Sequence, residues 1–85
     1  MFQILFTKQA VRSIQKMPQD VRDLIRKKLE QIAIDPFGSH PNVTKLQNRE
    51  GYRLRVGDWR LIYDLQNEKL VIMVLKVAPL GEVYR

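Results

Sequence analysis

Residues Tyr52 to Asp64, reading YRLRVGDWRLIYD, constrain the fold more than any other stretch of the chain. Apolar side chains alternate with arginines on both sides of Gly57-Asp58. A period of two marks a half-buried strand. Gly-Asp between two such runs marks a tight hairpin turn. A two-residue turn fixes the register, with Val56 opposite Trp59, Arg55 opposite Arg60, Leu54 opposite Leu61, Arg53 opposite Ile62 and Tyr52 opposite Tyr63. Tyr52, Leu54, Val56, Trp59, Leu61 and Tyr63 then share one face, which suits a core. Arg53, Arg55, Arg60 and Ile62 share the other. Like charges directly opposite one another destabilise a sheet, and a polyanion would relieve that repulsion.

The other segments supply cover for the apolar face. Phe2 to Phe6 reads as a short strand, and Thr7 is placed to cap the helix after it. Val11, Ile14 and Met17 give that helix an apolar stripe, and Pro18 separates it from a second helix over about Gln19 to Ala33. Val21, Leu24, Ile25, Leu29 and Ile32 form the buried face of the second helix. Asp35-Pro36 ends it, because a residue before proline avoids helical geometry. Phe37 to Gly51 reads as a long loop. The near-continuous apolar run Leu70 to Val77 reads as a strand buried on both faces. The result is an α+β domain spanning residues 1–85: an N-terminal strand, a helical hairpin, then a three-stranded antiparallel meander, with the helices on one face of the sheet. At 85 residues a single domain buries only about 60–65% of its unfolded surface, so the core is modest.

The formal net charge is +6, which points to an anionic partner: nucleic acid, an acidic protein or an anionic surface. Cysteine is absent, so disulfides and thiolate metal sites are excluded, which suits a reducing cytoplasm. The apolar start of the chain has no basic region before it, and no run approaches the roughly 20 apolar residues of a membrane span. A cytoplasmic protein without membrane contact is expected.

Three arginines on a rigid sheet face can grip phosphate oxygens through paired hydrogen bonds and neutralise charge developing there. Such a face is also compatible with a solvated surface. Lys8, Arg12 and Lys16 line one side of the first helix at a spacing of four, and Arg22 and Arg26 repeat that spacing on the second. Like charges so placed cost helix stability slightly, and contact with a large nucleic acid would compensate. A solvated helix face explains each stripe taken singly. His40 is the one histidine and falls in the long loop, where a surface role outweighs acid–base chemistry. No metal-ligand cluster, glycine-rich phosphate loop or nucleophile motif is present, and no cofactor is implied. Tyr84 can stack on a base and hydrogen-bond a phosphate, or close the end of the core.

Taken together, Lys45-Leu46, the run Gly51-Tyr52-Arg53-Leu54-Arg55-Val56-Gly57-Asp58-Trp59-Arg60-Leu61-Ile62-Tyr63 and the ending Glu82-Val83-Tyr84-Arg85 resemble the RelE/ParE toxin superfamily over nearly the whole chain. The resemblance implies the toxin of a type II toxin–antitoxin pair. For the RelE branch it implies a ribosome-dependent endoribonuclease that cuts messenger RNA in the A site. There the ribose 2′-hydroxyl attacks the adjacent phosphate, and an acidic, RelB-like antitoxin neutralises the enzyme. By position, Arg53, Arg55, Arg60 and Tyr84 match the catalytic residues. Lys8, Arg12, Lys16, Arg22, Arg26 and Lys45 are then the residues for messenger and ribosomal RNA.

This sequence departs from the pattern in two places. Several relatives have lysine where Arg53 and Arg55 stand. Arginine keeps its proton, which suits a clamp and not a general base. Many relatives carry a basic residue before the Glu-Val-Tyr motif, whereas here the stretch is Ala78-Pro79-Leu80-Gly81. Two other functions fit the same features: a non-enzymatic inhibitor of DNA gyrase in the manner of the ParE branch, and a catalytically weak RNA-binding homologue.

Overall fold

The computed structural model describes residues 1–79, so the expectations for Tyr84, Glu82 and Arg85 lie outside the described residues. The chain runs β1 (Gln3–Phe6), α1 (Lys8–Gln15), α2 (Gln19–Ile34), β2 (Val43–Lys45), β3 (Tyr52–Val56), β4 (Trp59–Gln66), a 3-10 turn (Asn67–Lys69) and β5 (Val71–Pro79). All five strands form one sheet in the order β1-β5-β4-β3-β2. β1 runs parallel to β5, and the other pairs are antiparallel. This is the α+β arrangement read from the sequence, with both helices packed on one face.

The core joins Ala10 and Met17 near α1, Ile25, Leu29, Ile32 and Ala33 of α2, and Leu54, Val56, Leu61, Tyr63, Ile72, Val74 and Val77 of the sheet. The predicted helical faces need two corrections. Val11 is 39% exposed and Leu24 is 44% exposed. Helical geometry of 3.6 residues per turn aligns Ala10 and Ile14 toward the sheet, and Ile25, Leu29, Ile32 and Ala33 likewise, which leaves Val11 and Leu24 on the flanks, while Met17 joins the core from the connection after α1.

The stretch from Phe37 to Gly51 is not wholly a loop. Val43–Lys45 pairs with β3, Thr44 facing Arg53, so the meander gains a fourth antiparallel strand. Asn42 at φ 65° and Asn48 at φ 62° bracket it; asparagine is among the few residues that visit left-handed geometry readily. The last strand also starts one residue later than predicted. Leu70 is exposed and left-handed, and closes the 3-10 turn.

Nor is β5 buried on both faces. Ile72, Val74 and Val77 are fully buried among the core residues, whereas Met73, Leu75 and Lys76 are only half-buried. Its pairing with β4 shifts once: Ile62 faces Lys76, but Tyr63 faces Val74, which makes Leu75 the extra residue of a bulge. Residues that precede α1 or lie in its first turn clamp this irregularity. The Thr7 hydroxyl donates to the Leu75 carbonyl at 2.7 Å and accepts from the Ala10 amide at 3.2 Å as the helix cap. The Gln9 side-chain amide donates to the Val77 carbonyl and accepts from the Val77 amide, each at 3.2 Å.

Candidate nucleic-acid interface

The hairpin has the register that its alternation predicts, from Val56 opposite Trp59 to Tyr52 opposite Tyr63. Gly57 takes φ 58° at the first central position of the turn, the glycine-led geometry whose twist matches paired strands. On the helix side, Tyr63 is 1% exposed and stacks on Tyr52 with centroids 5.4 Å apart. Burial, reinforced by the Tyr52 phenol, pushes the Tyr63 phenol up to about 12.

The opposite face carries the arginines. Arg55 and Arg60 are direct cross-strand partners, and Arg53 sits beside Ile62. Arg55 is exposed, whereas Arg53 and Arg60 are half-buried. The Arg60 guanidinium folds back over the turn and donates to the carbonyls of Trp59 at 3.2 Å and Gly57 at 3.4 Å. These two bonds anchor its orientation over the turn. Between the cations lies an apolar floor. Ile62, 3% exposed, and Ala78 are buried there with Leu46 and Leu75 against them. A low-polarity floor strengthens the pull of nearby guanidinium groups on an anion, because less water screens them. The site is thus three clamps around a dry base, suited to an extended phosphodiester.

The remaining basic candidates do not join this face. Lys8, Arg12 and Lys16 are exposed in the helical layer, across the sheet from the arginines. Lys45 pairs with Tyr52, so it projects to the helix side of the sheet, and Thr44 occupies the place beside Arg53. Arg26 lies 3.7 Å from Asp23 and 3.8 Å from Glu30. Arg22 is half-buried, donates to Gln19, and among the described residues has no partner for its Nε. These α2 cations are engaged within their own helix. His40 holds its Nε2 at 2.6 Å from the Asp35 carbonyl, which ties the loop to the end of α2. Among the described residues, no helix is long and apolar enough to cross a membrane.

Residues 4–84 match the family described as the ParE toxin of type II toxin–antitoxin systems, parDE. The chain belongs to this family, within the RelE/ParE superfamily. It is a toxin-type domain of a type II toxin–antitoxin system. Among solved structures it is similar to the toxin in the intact E. coli RelBE toxin–antitoxin complex, at 25% identity and TM-score 0.81, covering 96% of this chain and 100% of that one. The archaeal RelE–RelB complex from Pyrococcus horikoshii OT3 gives 27% identity and TM-score 0.82 over 95% of this chain and 97% of that one. A YoeB/ParE toxin from Agrobacterium tumefaciens shares the fold at 13% identity and TM-score 0.77, over 92% and 98% of the two chains. No curated protein sequence matches the chain.

Two features of the interface escape the reading by alternation. The apolar floor combines a strand residue on the polar side, Ile62, with Leu46 from the long loop, and only tertiary pairing brings them together. Lys76 is the second. It faces Ile62 and therefore sits on the arginine side. The signal for it was a lone charge inside an otherwise apolar strand.

Proposed function

We propose that this chain is a ribosome-dependent endoribonuclease toxin that cuts messenger RNA in the A site. The observation that carries the reading is the placement of Arg53, Arg55 and Arg60 on one rigid face around a dry floor. In this mechanism the ribosome holds the RNA extended over that face. The guanidinium groups orient the scissile phosphate and neutralise the charge that builds on it as the 2′-oxygen attacks. Tyr84 orients the adjoining base. The exposed Lys8, Arg12 and Lys16 meet ribosomal RNA from the other side of the domain. The partner that restrains the toxin is an acidic antitoxin, a proposal supported by the RelB-bound state of the similar toxins and by the +6 charge. The place of action is the cytoplasm.

A gyrase inhibitor of the ParE kind is the second reading. It is favoured by the family match itself and by the acid- and base-free end of β5 at Ala78-Pro79. Induced expression followed by mapping of RNA 5′ ends separates the two. Codon-positioned cuts on translated messages support the nuclease. Gyrase-linked DNA breaks with intact messages support the inhibitor and defeat the nuclease.

A further inference from the structure

We propose that Lys76 is the proton donor of the RNA-cleaving site, a role that rests on the nuclease reading above.

The argument starts from strand parity. In a regular strand, side chains alternate faces. Ile72 and Val74 point into the core, so an unbroken β5 would bury Lys76 there too. Val77 is also a core residue, which requires one change of parity between Val74 and Val77. The bulge at Leu75 supplies it. Bulges re-aim side chains beside functional sites, and here the result is that Leu75 and Lys76 both leave the core side. Leu75 joins Ile62 and Ala78 in the apolar floor. Lys76 stands at the end of the cross-sheet row Thr44, Arg53, Ile62, Lys76.

Its neighbours then follow from the pairing. Arg60 faces Ala78, so Lys76 is its diagonal neighbour, at about 7–8 Å between backbones. Arg53 lies two strands away across Ile62, roughly 10 Å at ordinary strand spacing. Ile62 is therefore flanked by Arg53 on one side and by Lys76 on the other, with Arg60 and Ala78 in the next row. A phosphate over Ile62 would lie between Arg53 and Lys76, with Arg60 in the next row toward the turn. Thr7 and Gln9 hold the bulge in place through four hydrogen bonds to Val74, Leu75 and Val77, so this aim is a built feature of the sheet.

Chemistry separates Lys76 from its neighbours. A guanidinium keeps its proton, whereas an ammonium can release one. As the 2′-oxygen bonds to phosphorus, the bond from phosphorus to the 5′-oxygen breaks. The Lys76 ammonium passes a proton to that departing oxygen, which leaves as a 5′-hydroxyl. The proton of the 2′-hydroxyl goes to solvent water, which later reprotonates the Lys76 amine. The products are a 2′,3′-cyclic phosphate and a 5′-hydroxyl end.

The test is single-turnover cleavage of messenger RNA on programmed ribosomes, by full-length protein and by Lys76→Arg and Lys76→Gln variants whose fold is verified by circular dichroism. General acid catalysis contributes roughly 100-fold to 10,000-fold. A loss in that range is expected for both variants, although Lys76→Arg retains the charge. The same variants are then given RNA whose scissile 5′-oxygen is replaced by sulfur, a leaving group that needs no proton. Lys76→Arg should approach the rate of the unmodified protein on that substrate. Lys76→Arg that cuts ordinary RNA within about threefold of the unmodified protein, or a deficit undiminished by sulfur, overturns the proton-donor role and leaves the nuclease reading intact. Absence of cleavage by the unmodified protein overturns both.

Discussion

Tyr63 makes the fold sensitive to alkali in a way that can be worked out in advance. Its phenol is enclosed by the sheet and α2 side of the core, and its pKa moves from 10.0 to about 12. The buried phenolate is the disfavoured form. Below pH 10 the phenol is protonated in folded and unfolded chains alike, and its contribution to stability is fully present. Between pH 10 and about 12 the unfolded chain ionises while the folded chain does not, so stability falls with rising pH. Two pKa units at 1.36 kcal/mol each give a loss of about 2–3 kcal/mol by pH 12. The comparison is with Tyr63→Phe, which removes only this ionisation. Urea unfolding from pH 8 to 12 should show the parent losing that amount of stability relative to Tyr63→Phe by the alkaline end. The tyrosinate absorbance difference between them should titrate near 12. Parallel stability curves, or a difference spectrum that titrates at 10, would refute the account.

Arg60→Ala should abolish growth inhibition and reduce messenger cleavage about 100- to 1,000-fold, as loss of one preorganised charge contact does, while circular dichroism stays native; undiminished toxicity at equal expression counts against the proposed function. Glycine at two positions should differ in tolerance. Gly57→Ala keeps a left-handed turn residue with nothing near its new Cβ and should cost about 1–2 kcal/mol, whereas at Gly51, φ 114°, the Cβ meets the Tyr63 carbonyl oxygen at 3.0 Å, so Gly51→Ala should show the lower melting temperature of the two. Gln9→Ala removes both side-chain bonds to Val77 and should cost about 1–3 kcal/mol in chemical denaturation, since each such bond nets about 0.5–1.5 kcal/mol. A Gln9→Ala protein as stable as the parent would show that the Gln9 bonds do not hold the bulge.

The hairpin was legible because its information is local. Alternation sets the faces, Gly57-Asp58 sets the turn, and the pair sets the register from Val56 opposite Trp59 to Tyr52 opposite Tyr63. The helices were legible for the same reason, through apolar spacing and the Thr7 and Pro18 boundaries. What lay beyond reach depends on partners distant in sequence. β2 has a single apolar residue, Val43, and becomes a strand only because β3 offers it an edge. Leu24 has the right residue type but faces away from the sheet. The bulge in β5 is invisible to composition, since one extra residue in an apolar run leaves the run apolar, and so Lys76 could not be assigned a face. Arg22 and Arg26 keep the spacing of a basic stripe, but the acids at Asp23 and Glu30 neutralise Arg26 within the helix.

The position of β5 between β1 and β4 sets the order in which the domain can be assembled. Among the described residues β1 has no other strand partner, and the α1 cap reaches across to the Leu75 carbonyl. A nascent chain that ends before residue 71 therefore holds its first strand and α1 without the surface on which they dock. The hairpin and β2 can pair early, because their contacts are close in sequence. The two ends of the sheet join only when the last strand has been made, and such distant pairings form slowly. A fragment of this protein lacking β5 should therefore keep at most the β2–β3–β4 pairing, with β1 and α1 undocked from the sheet.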